Sequence, residues 1–261
     1  MRIFFFSLIG LFLAAPVVIL MGVSLHETSQ MMFPPSNPHF GWYSFFFEQA
    51  QWREAFVRSI IIAAISAFVA LIIALPISYA SWRYSDKSVK ICINLCMIAC
   101  LMPAVVMALG FLLFWGKIGY AGDPVSIVFC HAISFVALPL VTTTLGLRSI
   151  DQEWINAART LGAPEKFRFF TLVLPYLIPY MISGYLFVFV LSLNEYIIAF
   201  MVAGFATETL PVKVFNSLRS GFVPAMAVGA ILFYFIGVMI FSINAKFGHL
   251  ERLLGVTHDR Q

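Results

Sequence analysis

Long apolar runs separated by short polar stretches set the character of this chain. Continuous apolar stretches at about 3–23, 59–80, 91–115, 127–147, 175–202 and 225–243 each reach or approach the ~20 residues that a helix needs to cross a bilayer. The pattern predicts an all-α polytopic membrane protein with six transmembrane helices in a single domain over residues 1–261. The first run follows Arg2 and has the layout of a signal peptide. It continues through "LAAPVVILMGV" without a small-x-small cleavage site, so it reads as a retained span. Pro76, Pro103, Pro139, Pro175 and Pro179 fall in or beside the runs. Each frees a carbonyl and permits a kink, which serves motion between states or is simply tolerated in a span. Between the first two runs, Pro34, Pro35 and Pro38 argue against a long helix. The stretch 43–58 then alternates Phe and Trp with Glu and Arg. That predicts an amphipathic helix at the outer interface, with Trp42, Tyr43 and Trp52 at headgroup level.

Composition supports the class. Of 261 residues, 61% are hydrophobic and 11% charged, too few polar groups to cover a soluble domain of this size. The net charge of +4 then concerns orientation rather than nucleic acid. Arg2, the 81–90 loop (Arg83, Lys87, Lys90), the 148–171 segment (Arg148, Arg159, Lys166, Arg168) and the tail (Lys246, Arg252, Arg260) hold eleven of the sixteen Lys and Arg residues. Arg53, Arg58, Lys117, Lys213 and Arg219 lie on the other side. The richer side is predicted to be cytoplasmic, which places both termini there. Cys92, Cys96, Cys100 and Cys130 all lie in apolar runs. The first three share a helix face, but no His or carboxylate accompanies them, so packing is favoured over a metal site.

One polar segment differs from the other connections: "INAARTLGAPEKFRFFTLVLPYLIP", residues 155–179. Asp151 is placed to cap a helix, with Glu153 in its first turn. Trp154, Ala157, Ala158 and Leu161 recur on one stripe. Gly162 suits a left-handed exit, and Pro164 suits the first position of a second helix, with Phe167, Phe170 and Leu174 as its apolar stripe. Pro175 marks an expected break or kink before the fifth span. A helix, a Gly162-Ala163-Pro164 turn and a second helix share the layout of a DNA-binding helix-turn-helix. Tethering between two spans and nearly balanced charge argue against nucleic acid. A passive interfacial linker is the plain alternative. Small residues flanking the Trp154 anchor instead fit a rigid docking knob.

The segment resembles the signature of permease subunits of binding-protein-dependent ABC importers. That signature runs Glu-Ala-Ala, three residues, Gly, then a stretch ending in Leu-Pro and a later Pro. Ala157, Ala158, Gly162, Leu174, Pro175 and Pro179 match it, and Asn156 stands where the family has Glu. "FVRSIIIAAISAFVALIIALPISYA" is similar to the family's second span. "SLNEYIIAFMVAG" and "TLPVKVFNSLRSGFVPAMAVGAIL" resemble most the second permease of spermidine/putrescine transporters, a branch with relatives for ferric iron, thiamine, sulfate and aminoethylphosphonate. The resemblance implies the type I importer permease (MetI-like) fold in a bacterial inner membrane. It also implies a second homologous permease, a different chain in the polyamine members, two cytoplasmic ATP-binding subunits and a periplasmic solute-binding protein. Trp154, Asn156, Ala157, Ala158, Gly162, Ala163 and Pro164 would dock the ATPase, within a segment spanning 151–171. Leu161, Phe167 and Phe170 would hold that knob to its own spans. ATP and Mg would be used by the partners. This chain is expected to bind no cofactor and catalyse nothing, and it lacks a Gly-x-x-x-x-Gly-Lys-Ser/Thr phosphate loop.

Glu195 is the one carboxylate placed within an apolar run, on the outer part of the fifth span. A charge there must meet water or a partner. Three readings are open: it lines the path of a cationic solute, it hydrogen-bonds a neighbouring span or the partner permease, or it sits at the outer water boundary. Ser192 and Tyr185 are the other polar candidates for the path. Ser183 and Gly184 suit close helix packing. Lys213 and Arg219 would meet acidic residues of the binding protein, or are ordinary solvated surface. An ion-coupled secondary transporter is the rival class, and it calls for an internal repeat and more buried ionisable residues. A membrane enzyme would want clustered polar groups. His26, His39, His131, His249 and His258 are scattered, with only His131 in a span.

Overall fold

The computed structural model describes residues 2–28, 32–84, 86–221 and 223–247. Arg252, Arg260, His249 and His258, on which part of the charge and histidine readings rests, lie outside the described residues, as do the side chains of Arg2 and Lys246. All regular elements among the described residues are helical. They are α1 (Arg2–Ser24), α2 (Gly41–Glu48), α3 (Ala50–Arg83), α4 (Lys87–Leu101), α5 (Ala104–Ile118), α6 (Pro124–Phe135), α7 (Ala137–Arg148), α8 (Gln152–Thr160), α9 (Glu165–Arg168), a π-helical turn (Phe169–Val173), α10 (Leu174–Asn194), α11 (Ile197–Ala203), α12 (Leu210–Ser220) and α13 (Ala225–Phe247). Four stretches are unbroken helices long and apolar enough to span: Phe4–Ser24, Ala50–Arg83, Glu165–Asn194 and Ala225–Asn244. Two bent pairs, α4 with α5 and α6 with α7, bring the total to six if each pair counts as one span.

Prolines explain the two breaks. The expected third span at 91–115 is not one helix: α4 and α5 meet at 110°. Met102 (ψ 142°) and Pro103 (ψ 134°) are both extended there, because a proline ring excludes the helical conformation from the residue before it. The fourth span bends by 47° between α6 and α7. Pro139 has no N–H to reach the carbonyl of Phe135, and that is where α6 ends. Pro76 lies inside α3 without a break.

The chain forms two compact units, one within Met1–Ile60 and Glu208–Val238, the other within Ile61–Thr207 and Met239–Gln261. In the first, Phe46 is fully buried, with its ring 5.7 Å from Trp52 and 6.0 Å from Phe56. The expected amphipathic helix over 43–58 is divided. Gln49 adopts an extended ψ of 112°, so α2 stops at Glu48 and the remainder is the start of α3. Trp52 is buried against Phe46 rather than turned outward as an interfacial anchor. Ser59 Oγ accepts from Leu210 N at 2.8 Å, and Arg58 Nη1 donates to Glu208 O at 3.0 Å. Lys213 is held by Glu208 at 3.4 Å and Gln51 at 2.9 Å.

In the second unit, α7 and α10 approach closely. A Cβ added at Gly184 would lie 2.7 Å from the Cα of Pro139, and one at Gly146 would lie 2.7 Å from the ring of Tyr180. Buried Ser78, Thr143 and Ser183 satisfy their hydroxyls locally, Ser78 with Thr143 at 2.6 Å and Ser183 with Asn244 at 2.7 Å. Gly184→Val therefore forces backbone apart and is expected to cost about 1–3 kcal/mol. Gly110→Ala, where an added Cβ meets nothing within 4 Å, is expected to be neutral. Thermal unfolding of the detergent-solubilised protein checks both.

Candidate functional site: a docking hairpin and a broken helix

The 151–171 segment folds as the cap chemistry of its residues requires. Asp151 Oδ1 accepts from Glu153 N at 2.9 Å and starts α8. At the other end Gly162 adopts φ +79°. Its N–H donates to Arg159 O, and the N–H of Ala163 donates to Ala158 O, each at 3.0 Å. These two bonds make a Schellman cap, which only a residue free of Cβ strain closes cheaply. Pro164 is extended and precedes the first helical residue, Glu165, one position earlier than the sequence pattern suggested. Trp154, Asn156, Ala157, Gly162 and Pro164 are exposed, with Ala158 and Ala163 half-buried.

What holds this hairpin differs from expectation. Leu161 is 87% exposed, Phe167 57% and Phe170 63%, so none of them grips a span. Ile155 and Phe169 do so instead. They pack with Leu75, Tyr79, Trp82 and Tyr176 on a buried cluster of Leu147, Ile150, Val173 and Leu177. The rings of Tyr79 and Phe169 meet edge-on at 4.8 Å. Glu165 ties the same corner, with Oε1 3.5 Å from Arg83 Nε and accepting from Tyr79 Oη at 3.4 Å. Of the break or kink expected at Pro175, the break is absent and a π-helical distortion stands just before it. Residues Glu165–Asn194 run as one helix through the π-helical turn. Leu174 N donates to Phe169 O, the five-residue step that widens a helix just where Pro175 needs room.

The other polar candidates lie at the far end of that helix. Glu195 follows its last residue and is extended, at φ −76° and ψ 123°. It is therefore not inside a helix. Both its carboxylate oxygens accept from Ile198 N at 3.0 Å, and Oε2 also accepts from Ala199 N at 3.1 Å. His131 Nε2, on α6, lies 3.2 Å from Glu195 Oε2, and His131 Nδ1 lies 2.7 Å from Ser192 Oγ. The carboxylate only accepts, so Nε2 carries a proton. The side chains of His131 and Glu195 are 1% and 9% exposed. Of the readings open for Glu195, the bond to a neighbouring helix is the one present. Ser192 joins that cluster. Tyr185 lies apart, stacked on Phe189 beside Ala67, Ala70, Ala132 and Val188. No motif in the sequence links His131 to Glu195. Each was the single ionisable residue of its type in an apolar run, and the cost of burying either alone was the signal that could have paired them. No group of three or more His, Cys, Asp or Glu residues among the described residues could hold a metal.

Comparison with known proteins then decides the family. Residues 68–252 match the binding-protein-dependent transport system inner membrane component family. The chain belongs to this family. As a permease subunit it is non-catalytic. It is 29% identical over 185 residues to the spermidine/putrescine transport system permease protein PotC of Haemophilus influenzae, covering 70% of this chain and 71% of that protein. It is 25% identical over 239 residues to PotC of Escherichia coli strain K12, covering 91% and 90%. The fold matches that of a bacterial ABC transporter involved in the import of the acidic polysaccharide alginate, with a TM-score of 0.72 and 16% identity over 94% of each chain.

Two predictions separate grip from display in this permease. Phe169→Ala is expected to destabilise the detergent-solubilised protein by about 2–4 kcal/mol, whereas Leu161→Ala stays within about 0.5 kcal/mol. At the helix break, Glu195→Gln and His131→Ala are expected to be non-additive, with a coupling energy of about 1 kcal/mol or more in a double-mutant cycle read by denaturation.

Proposed function

We propose that this permease is one of two homologous membrane subunits of an ATP-driven importer in a bacterial inner membrane, and that its solute is a polyamine, spermidine or putrescine. The observation that carries the solute class is the match to two PotC proteins across 70% and 91% of the chain. Ferric iron, thiamine, sulfate or aminoethylphosphonate in the same importer class is the alternative. In this proposal both termini are cytoplasmic and the partner permease is a different chain. A periplasmic binding protein delivers the solute, and two cytoplasmic subunits use ATP and Mg.

The mechanism follows from helix continuity. Trp154, Asn156, Ala157, Ala158, Gly162, Ala163 and Pro164 form the face that meets the ATPase. Force applied there passes through the capped Gly162–Pro164 turn and the corner where Ile155 and Phe169 pack on one cluster, and then enters Glu165–Asn194, which is unbroken. Its far end meets the Glu195–His131–Ser192 cluster and the break before α11. ATP-driven closure thus tilts one lever whose outer end abuts a joint. The ATP-bound arrangement favours one of two helix placements by its differential contact with α8. Glu195 and Ser192 are assigned here to holding that joint, since their polar atoms are engaged internally. Tyr185, half-buried on the same helix, retains the solute-facing assignment.

The test is binding-protein-stimulated ATPase activity of the reconstituted complex, with spermidine, putrescine, ferric iron, thiamine and aminoethylphosphonate each supplied with its matching binding protein. Stimulation by a polyamine alone is expected. Gly162→Trp, strained at φ +79° by about 1–2 kcal/mol and bulky on the docking face, should abolish stimulation without removing the permease from the membrane. Gly162→Asn, which tolerates that conformation, should retain it. Transport that persists with an inactive ATPase would instead leave the secondary-transporter reading standing.

A further inference from the structure

We infer that the cleft between α8, α9 and the C-terminal end of α3 seats the phosphodiester of an anionic phospholipid. This site is separate from the solute path and from the surface that α8 offers to a partner subunit.

A cavity of about 90 Å³ opens there, lined by Arg83, Arg159, Arg168, Gln152, Asn156 and Glu165. Arg83 Nε lies 3.5 Å from Glu165 Oε1. Arg159 and Arg168 have no ion-pair partner among the described residues, although Arg168 is half-buried. Three guanidinium groups thus share one carboxylate, which leaves an excess of two positive charges. Guanidinium forks match the geometry of phosphate oxygens, and the Gln152 and Asn156 amides add neutral donors. The cavity has room for one phosphate group.

Position along the spans names the source of that phosphate. Residues 59–82 of α3 hold no charged side chain, and Arg83 is the first after them. Residues 169–194, from the π-helical turn to the end of α10, hold none either, and Arg168 is the last before them. Two of the three arginines therefore stand where apolar helix gives way to polar chain, the depth of the lipid headgroups. Tyr79 and Trp82 line the same cleft, with their rings 5.9 Å apart. Aromatic side chains favour that depth, and basic pockets between helices there take anionic headgroups. At about 100° per residue, Gln152, Asn156 and Arg159 share one side of α8, while Trp154, Ala157 and Leu161 share the other. A protein docked on the Trp154 side leaves the cleft uncovered. Most of the lining is open to solvent, which suits a hydrated headgroup. Inorganic phosphate shares the chemistry but lacks acyl chains to hold it at the bilayer edge.

The experiment counts ligands retained by the full chain in a neutral detergent, by native mass spectrometry, during titration with phosphatidylglycerol, phosphatidylcholine or inorganic phosphate. Wild type should retain one phosphatidylglycerol, with a preference of about tenfold or more over phosphatidylcholine. Arg159→Gln/Arg168→Gln should lose that preference. Lys87→Gln/Lys90→Gln removes two exposed cations of α4 that do not line the cleft, and should keep the preference within about twofold. Glu165→Gln releases Arg83 and should tighten phosphatidylglycerol binding about threefold, a gain that no misfolded variant shows. The inference is overturned if both double variants lose the preference equally, which would make the attraction diffuse, or if neither loses it. It is also overturned if Glu165→Gln fails to tighten binding, or if inorganic phosphate occupies the site and phosphatidylglycerol does not, which would make the ligand a soluble anion. Displacement of the lipid by an added ATPase subunit would overturn it too, by making the occupant an acidic side chain of a protein.

Discussion

Pro175 imposes the constraint on which the rest of the second unit depends. A proline two residues into α10 cannot donate to the carbonyl four positions back, and its ring crowds that carbonyl. The chain answers with a π-helical turn at Phe169–Val173 immediately before it. The widened turn takes up the mismatch without ending the helix, so α9, the second helix of the docking hairpin, and the membrane helix are one element. It also sets Phe169 against Tyr79 and aligns Ile155 on the cluster around Leu147 and Leu177. A plain break at Pro175 would uncouple the hairpin from everything beyond it.

The opposite end of the same helix needs the reverse property. There the chain departs from helix at Glu195 and starts again at Ile197. Free amides at a helix start within an apolar run are costly unless an acceptor covers them. The Glu195 carboxylate does so, accepting from the N–H groups of Ile198 and Ala199, and it lies within hydrogen-bond reach of His131 Nε2. A buried group of this kind breaks at a cost if any member is removed, which makes it a defined joint rather than a soft one. A stiff shaft ending at a specified joint is what a lever mechanism requires.

The fold was legible in the sequence because bilayer thickness reduces most of the problem to counting apolar residues. The docking hairpin was legible because Asp151, Gly162 and Pro164 each have a narrow structural use. The errors fall where local pattern is ambiguous. On an amphipathic nine-residue helix the stripe through Trp154 and Leu161 and the position of Ile155 are both plausible inner faces. The exposed stripe proved to be the larger one, since a face meant for a partner is also apolar. Pro103 and Pro175 carry the same residue type into opposite outcomes, a 110° corner and a continuous helix. The difference lies in whether the preceding residues relax into a π turn, which composition does not announce. His131 and Glu195 are 64 residues apart, and no spacing rule links them.

The central claim is that α8 and the start of α10 move as one body. Spin labels at Thr160 on α8 and Ile178 on α10, both exposed, measure this directly in the reconstituted complex by pulsed dipolar spectroscopy, nucleotide-free and with ATP trapped. A single distance distribution unchanged to within about 2 Å between the two states is expected of a rigid connection. A larger shift, or a second population appearing with ATP, would mean that the hairpin swings on its own and that the helix through Pro175 does not transmit the docking motion.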